Sequence, residues 1–230
     1  MLDQSTLKGR IIAAAMRLAA ERPWSEVLLK DIAEAAGTDL TALRREFPSK
    51  SAILSAFIRA ADDAVLARVP KFTGGESARD RLFDVVMTRF DVLEPYKPAL
   101  KSIAASRPFD MNLARRMMAS QAWMLHAAGI GTDGVMGVSR VTGLTSVYAG
   151  VMETWLADDD AGLARTMAAL DGRLRRGEQS MRMLSDVLNG ADRLASGVMR
   201  AFGCSVSGSN DKPAPAPQTA ASSTPGHPPV

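Results

Sequence analysis

The sequence predicts an all-α protein, with a small three-helix head followed by a larger helical body. Apolar residues recur at three- and four-residue spacing along most of the chain, and no stretch alternates apolar and polar residues as a half-buried strand would. Within residues 8–57, three short helical patterns lie close together, with a glycine between the second and third.

The head can be justified element by element. From Arg10 to Ala20, residues Ile11, Ile12, Ala15, Leu18 and Ala19 make one stripe that ends before Pro23. Trp24, Val27 and Leu28 are placed to cover the end of that helix. A second helix, Leu29 to Ala36, turns Ile32, Ala33 and Ala36 inward, and Gly37 supplies the permissive backbone of a tight turn. Asp39 caps a third helix, Leu40 to Phe47, in which Leu43 and Phe47 face the core. Thr41, Arg44 and Arg45 are left pointing outward, as residues of a major-groove helix do. Pro48 ends that helix, and Ser49 caps a fourth one starting near Lys50.

These residues resemble the N-terminal domain of the TetR family of bacterial one-component regulators. The resemblance is carried by Ile11, Ala14, Ala15, Leu18 and Ala20, then by Asp31-Ile32-Ala33 and Ala36-Gly37, and finally by Leu43, Phe47, Pro48, Ser49, Lys50 and Leu54. It implies a phosphate contact from Lys50 and groove contacts from the helix Leu40 to Arg45; for a regulator, the residues expected to meet operator DNA are Lys30, Thr38, Thr41, Arg44, Arg45 and Lys50. The chain departs from the family pattern at Arg44, where a hydroxyl-bearing aromatic is usual, and at Leu40 and Thr41. A guanidinium at Arg44 can replace a phosphate contact, whereas Glu46 would repel one. Residues 1–68 hold ten Lys/Arg against nine Asp/Glu, so the head's net charge is only +1.

Composition frames the remainder. A length of 230 residues suits a head (1–60), a ligand-binding and dimerisation body (61–177), an amphipathic C-terminal helix (178–204) and a tail (205–230). Hydrophobic residues make up 47% of the chain, enough for a substantial core, and the net charge of +3 is compatible with nucleic acid without demanding it. The single cysteine, Cys204, excludes an internal disulfide framework and fits a reducing, cytoplasmic setting. No signal peptide is expected, and no apolar run approaches the roughly 20 residues of a membrane-spanning helix. Half of the twelve prolines fall from Pro213 onward, so the tail is expected to be disordered.

In the body, helices are expected over Asp80 to Leu93 (closed by Pro95), Leu100 to Ala105, Leu113 to Ala128 and Val135 to Ala157. Asp158, Asp159 and Asp160 suit the start of the next helix, Ala161 to Arg176, which Glu178 to Phe202 follows. Met87, Met117, Met118, Met124, Met136 and Met152 either fill gaps in the core or line a deformable apolar cavity. The hydroxyls of Ser139, Thr142, Thr145, Ser146 and Tyr148, with volume left open at Gly137, Gly143 and Gly150, favour a cavity along Val135 to Ala157. Its expected lining includes Phe90, Met117, Trp123, Thr142, Tyr148 and Met152.

The body also resembles the ubiquinone-biosynthesis accessory lipid-binding proteins, through Leu82, Asp84, Arg89, Phe90, Asp91 and Leu93, then Trp155, Leu156, Asp158, Leu170, Asp171, Arg173 and Leu174. That resemblance implies a dimer, an isoprenoid pocket, a head retained without DNA reading, and a last helix that meets the membrane. The stripe Leu184, Val187, Leu188, Ala191, Leu194, Ala195, Val198 and Phe202 fits either membrane contact or packing on the protein itself.

Nothing in the sequence assembles a catalytic or metal site, and no cofactor is expected. His126 has no histidine or cysteine partner at ligand spacing and reads as a core or pocket-wall residue, while His227 lies in the tail. Cys204 lacks a basic neighbour to activate it. The function expected is a homodimeric, ligand-responsive regulator that binds operator DNA and answers to an apolar or lipid-like effector. A lipid-binding accessory protein is the alternative.

Overall fold

Thr6 opens the first helix by accepting a hydrogen bond from the Gly9 N–H at 3.0 Å. This is α1, Leu7–Glu21, and the computed structural model describes residues 1–106 and 110–201, with side chains through residue 181 and at 183. A 3₁₀ turn at Trp24–Glu26 leads to α2 (Leu29–Ala35), α3 (Leu40–Glu46) and α4 (Lys50–Leu66). The body continues with α5 (Ala78–Leu93), a second 3₁₀ turn (Glu94–Tyr96), α6 (Lys97–Ala105), α7 (Met111–Ala127), α8 (Gly134–Leu156) and α9 (Ala164–Ala201). There is no strand among the described residues.

Short polar side chains set most of these starts. Asp39, Ser49, Ser77 and Asp110 accept from backbone N–H groups in the first turns of α3, α4, α5 and α7, each such cap being worth about 1 kcal/mol. Gly37 has φ +66° and so makes the α2–α3 turn in a conformation that a side chain would strain. The last carbonyls of α2 are met from α1, by Arg17 to Ala35 O (3.2 Å) and Arg10 to Ala36 O (3.4 Å).

α1 packs on α6, and α4 packs on α5 and α7. The head's core joins Ile11, Ile12 and Ala15 to Ile32, Leu43 and Phe47, all buried. In the body, Phe90 lies between Tyr148 and Trp155, with ring centroids 5.6 and 5.2 Å apart. Trp155 donates its indole N–H to Glu94 Oε2 at 3.1 Å, and Lys97 donates to Asp158 O at 2.6 Å, so α5, α6 and α8 are pinned at one end.

Three expectations change. The helix after Pro95 begins at Lys97 rather than Leu100: α5 closes at Leu93 ahead of Pro95, as expected, but the 3₁₀ turn that holds Pro95 leads directly into α6. Gly177 does not separate two helices, since α9 runs through it; an isolated helical glycine costs only about 1 kcal/mol relative to alanine. Gly137 and Gly150 do not leave open volume. A Cβ at Gly137 would stand 1.9 Å from Thr132 O, and one at Gly150 would stand 2.4 Å from the Arg173 guanidinium.

The chain divides into two compact units, residues 1–185 and 186–230. Of the second, the described part is the continuation of α9 to Ala201. Cys204, His227, the tail and the apolar stripe from Leu184 to Phe202 fall outside the described side chains.

Candidate functional site

The outer face of α3 follows from its inner one. Burying Leu43 and Phe47 rotates Thr41, Arg44 and Arg45 into solvent, and all three are exposed. Leu40, at 49% exposure, heads the same face. Thr38 is half-buried in the turn, and Lys30 is exposed on α2, 3.7 Å from Glu34. α3 therefore offers two guanidinium groups and a hydroxyl on the second helix of a helix-turn-helix.

Lys50 is placed differently from the arginines. Its ammonium donates to Trp24 O at 2.5 Å and to Val27 O at 2.7 Å, and lies 4.3 Å from the centre of the Trp24 ring. Burial pushes its pKa below the ordinary lysine value. Two of its three N–H donors thus hold the turn between α1 and α2 against the start of α4. Asp31 reinforces that turn. Its carboxylate accepts from the Leu28 N–H at 3.0 Å and pairs with Arg22, and those two bonds, the backbone one first, draw its pKa down.

A partly open cavity of about 250 Å³ lies among α4, α5, α6, α7 and α8. Four helices give it stripes at helical spacing: Leu54, Phe57 and Ala61 on α4, Arg89 and Leu93 on α5, Leu113, Met117 and Gln121 on α7, and Tyr148, Met152 and Leu156 on α8. Leu100, Ile103 and Ala104 of α6 complete the wall. The lining is almost wholly apolar.

Its charged residue is neutralised internally. Arg89, 3% exposed, pairs with Asp62, 4% exposed, and donates through Nε to the Tyr148 hydroxyl at 3.0 Å. Asp62 also accepts from Ser120 Oγ at 2.6 Å. Burial raises the Tyr148 pKa, so the phenol stays protonated. Burial presses on the Arg89 guanidinium in the opposite sense, yet Tyr148 and Asp62 outweigh it and hold the charge.

Of the residues expected to line a pocket, Met117, Tyr148 and Met152 come together here. Phe90 stands behind the wall, stacked on Tyr148. Trp123 and Thr142 lie elsewhere. Trp123 is 52% exposed, its ring 5.8 Å from that of His126, because two residues beyond Gln121 the helix has turned it away. Thr142, six residues before Tyr148, faces solvent for the same reason. His126 is exposed rather than buried, its Nε2 being 3.0 Å from Thr132 Oγ1. The methionines divide: Met124 is core, whereas Met117 and Met152 are wall. Sequence reasoning missed Asp62, Ser120 and Gln121 altogether. Gln121 fits the Leu113–Met117–Gln121 stripe, but a glutamine on an apolar face is not itself a signal.

Comparison with known proteins separates head from body. Residues 11–57 match the family of bacterial regulatory proteins, tetR family. The structure adds the fold. A TetR transcriptional regulator from Nitrosomonas europaea superposes with a TM-score of 0.59 at 21% identity, over 76% of this chain and 99% of that one. A TetR transcriptional regulator from Rhodococcus sp. RHA1 gives 0.59 at 18%, over 76% and 97%. A tetR-family regulator from Streptomyces coelicolor gives 0.52 at 18%, over 84% and 91%. At these identities the likeness establishes a TetR-like fold. No curated protein matches the chain. No helix among the described residues is long and apolar enough to cross a membrane.

Proposed function

We propose that this protein is a ligand-responsive transcriptional regulator that binds operator DNA as a homodimer and is released or shifted by an apolar small molecule. One observation carries the reading: the helix that follows the exposed Thr41, Arg44 and Arg45 also walls the cavity. α4 begins at Lys50, four residues beyond the end of α3, and contributes Leu54, Phe57 and Ala61 to the lining. A ligand that fits one placement of α4 better than another shifts the population of head positions. In a dimer, that changes the separation of the two α3 helices from the spacing of about one DNA turn.

Arg44, Arg45 and Thr41 meet DNA in this reading, with Lys30 and Thr38 at the edge of the contact. Lys50 acts chiefly by holding the head's turn. The dimer face uses α8 and the first part of α9, where Val135 and Val138 are exposed at 73% and 65% on an otherwise folded surface.

The lipid-carrier alternative is not favoured. What favours the regulator over it is the head, whose residues 11–57 match bacterial regulatory proteins of the tetR family. The test is fluorescence anisotropy with DNA from the gene's own upstream region. Specific binding that the Arg44→Ala/Arg45→Ala double variant abolishes supports the regulator. Weak binding equal on all DNA and indifferent to the change rejects it.

A further inference from the structure

Among the described residues of the cavity wall, one buried polar side chain forms no hydrogen bond. Gln121 is 1% exposed, its side chain forms part of the wall, and its Oε1 receives no hydrogen bond. Leaving such an acceptor buried and unpaired costs about 1–3 kcal/mol. The neighbouring polar groups are engaged with one another: Arg89 with Asp62 and Tyr148, and Asp62 with Ser120. A lone water at Gln121 would need two to four polar partners, and the nearly apolar lining is poor in them.

The geometry points to an uncharged, compact hydrocarbon effector with a single hydrogen-bond donor, a hydroxyl or N–H, that Gln121 Oε1 accepts. This rests on the cavity being the effector site. Size and charge narrow the class. A cavity of about 150 Å³ holds one benzene ring, so about 250 Å³ has room for a second fused ring or a short alkyl chain. The ion pair Arg89–Asp62 brings no net charge to the wall, and an anion or cation entering it would lose its hydration without a counter-ion. A donor-bearing ligand is selected over its donor-free analogue because only the former pairs the orphaned carbonyl.

The test uses three probes of one shape, 1-naphthol, naphthalene and 1-naphthoate, titrated calorimetrically into the full chain. The expected result is naphthol binding at least tenfold more tightly than either of the others. In Gln121→Leu the preference for naphthol over naphthalene disappears while naphthalene binds as well or better. Gln121→Met, closer in length, is the second variant; each replaces an unpaired polar group by an apolar one, and urea unfolding reports that the fold is kept. Equal binding of naphthol and naphthalene, a preference that survives both variants, or tighter binding of naphthoate overturns the assignment and leaves the cavity as a site. Failure of all three to bind removes the cavity reading as well.

Discussion

Trp24 donates its backbone N–H to Ser102 Oγ at 2.9 Å, although the two residues are 78 apart in sequence. The same hydroxyl donates to Arg22 O at 3.1 Å, so one serine on α6 closes both backbone groups at the end of α1. Its neighbours Leu100, Ile103 and Ala104 face the cavity. Ser102 therefore joins the cavity-lining helix α6 to the turn that Lys50 also grips.

Ser102→Ala removes both bonds and is expected to cost about 1–3 kcal/mol in urea unfolding. The functional consequence is the more telling one. DNA affinity without ligand should change little, because Thr41, Arg44 and Arg45 are untouched. The ligand-induced drop in that affinity should shrink several-fold. An unchanged drop, measured by anisotropy with and without 1-naphthol, would show that α6 carries none of the coupling.

The ion pair between Arg89 and Asp62 makes a second prediction. Both side chains are buried, so Arg89→Met leaves an unpaired carboxylate and should destabilise by about 3–5 kcal/mol. Asp62→Leu should be similarly costly. The double variant should lose markedly less than the two singles combined, since neither charge is then stranded. Chemical denaturation of the four proteins checks this, and strict additivity would contradict the pairing.

The head was legible because its devices are local. Asp39, Gly37 and Ser49 act within four residues of their own position, and the structure shows each in the conformation or bond that its type suggests. The cavity was legible only in part. Tyr148 and Met152 share a stripe, but knowing which stripe of α8 meets α7 requires the packing of five helices. Thr142 was therefore grouped with them wrongly. Gly137, Gly143 and Gly150, expected to leave volume open along α8, illustrate the same limit. Gly137 and Gly150 are filled by Thr132 and Arg173, whereas Gly143 has nothing within 4 Å of a built Cβ. Lys50 was read as a phosphate ligand because a lysine at a helix start offers charge, while its two carbonyl acceptors lie 26 and 23 residues away.

Asp158 gives a pH-dependent prediction. It is buried ahead of α9 and accepts from Thr166 through Oγ1–H at 2.7 Å and the backbone N–H at 2.9 Å. Those bonds, the hydroxyl first, hold its pKa below the ordinary 3.8. Because the folded value lies below the unfolded one, the carboxylate's stabilisation is complete above about pH 4 and is lost as pH falls through the folded value. Thermal melts of wild type and Asp158→Asn should differ by a constant amount above that pH and converge below it. A gap that instead widens on acidification would show that the folded pKa is raised.

Lys50 and the two arginines of α3 can be told apart by salt. If Arg44 and Arg45 each meet a phosphate, a dimer loses four such contacts in the double alanine variant. The slope of log affinity against log salt should then fall in magnitude by roughly 3 to 4. The fold should be unaffected, because both side chains are exposed on the outer face of α3. Lys50→Ala should behave in the reverse way. Trp24 O and Val27 O lose their donor, unfolding becomes easier, and DNA binding weakens through a loosened head while the slope stays near the wild-type value. A Lys50 variant with full stability and a reduced slope would return that ammonium to the phosphates, and would mean that its bonds to Trp24 and Val27 give way when DNA arrives.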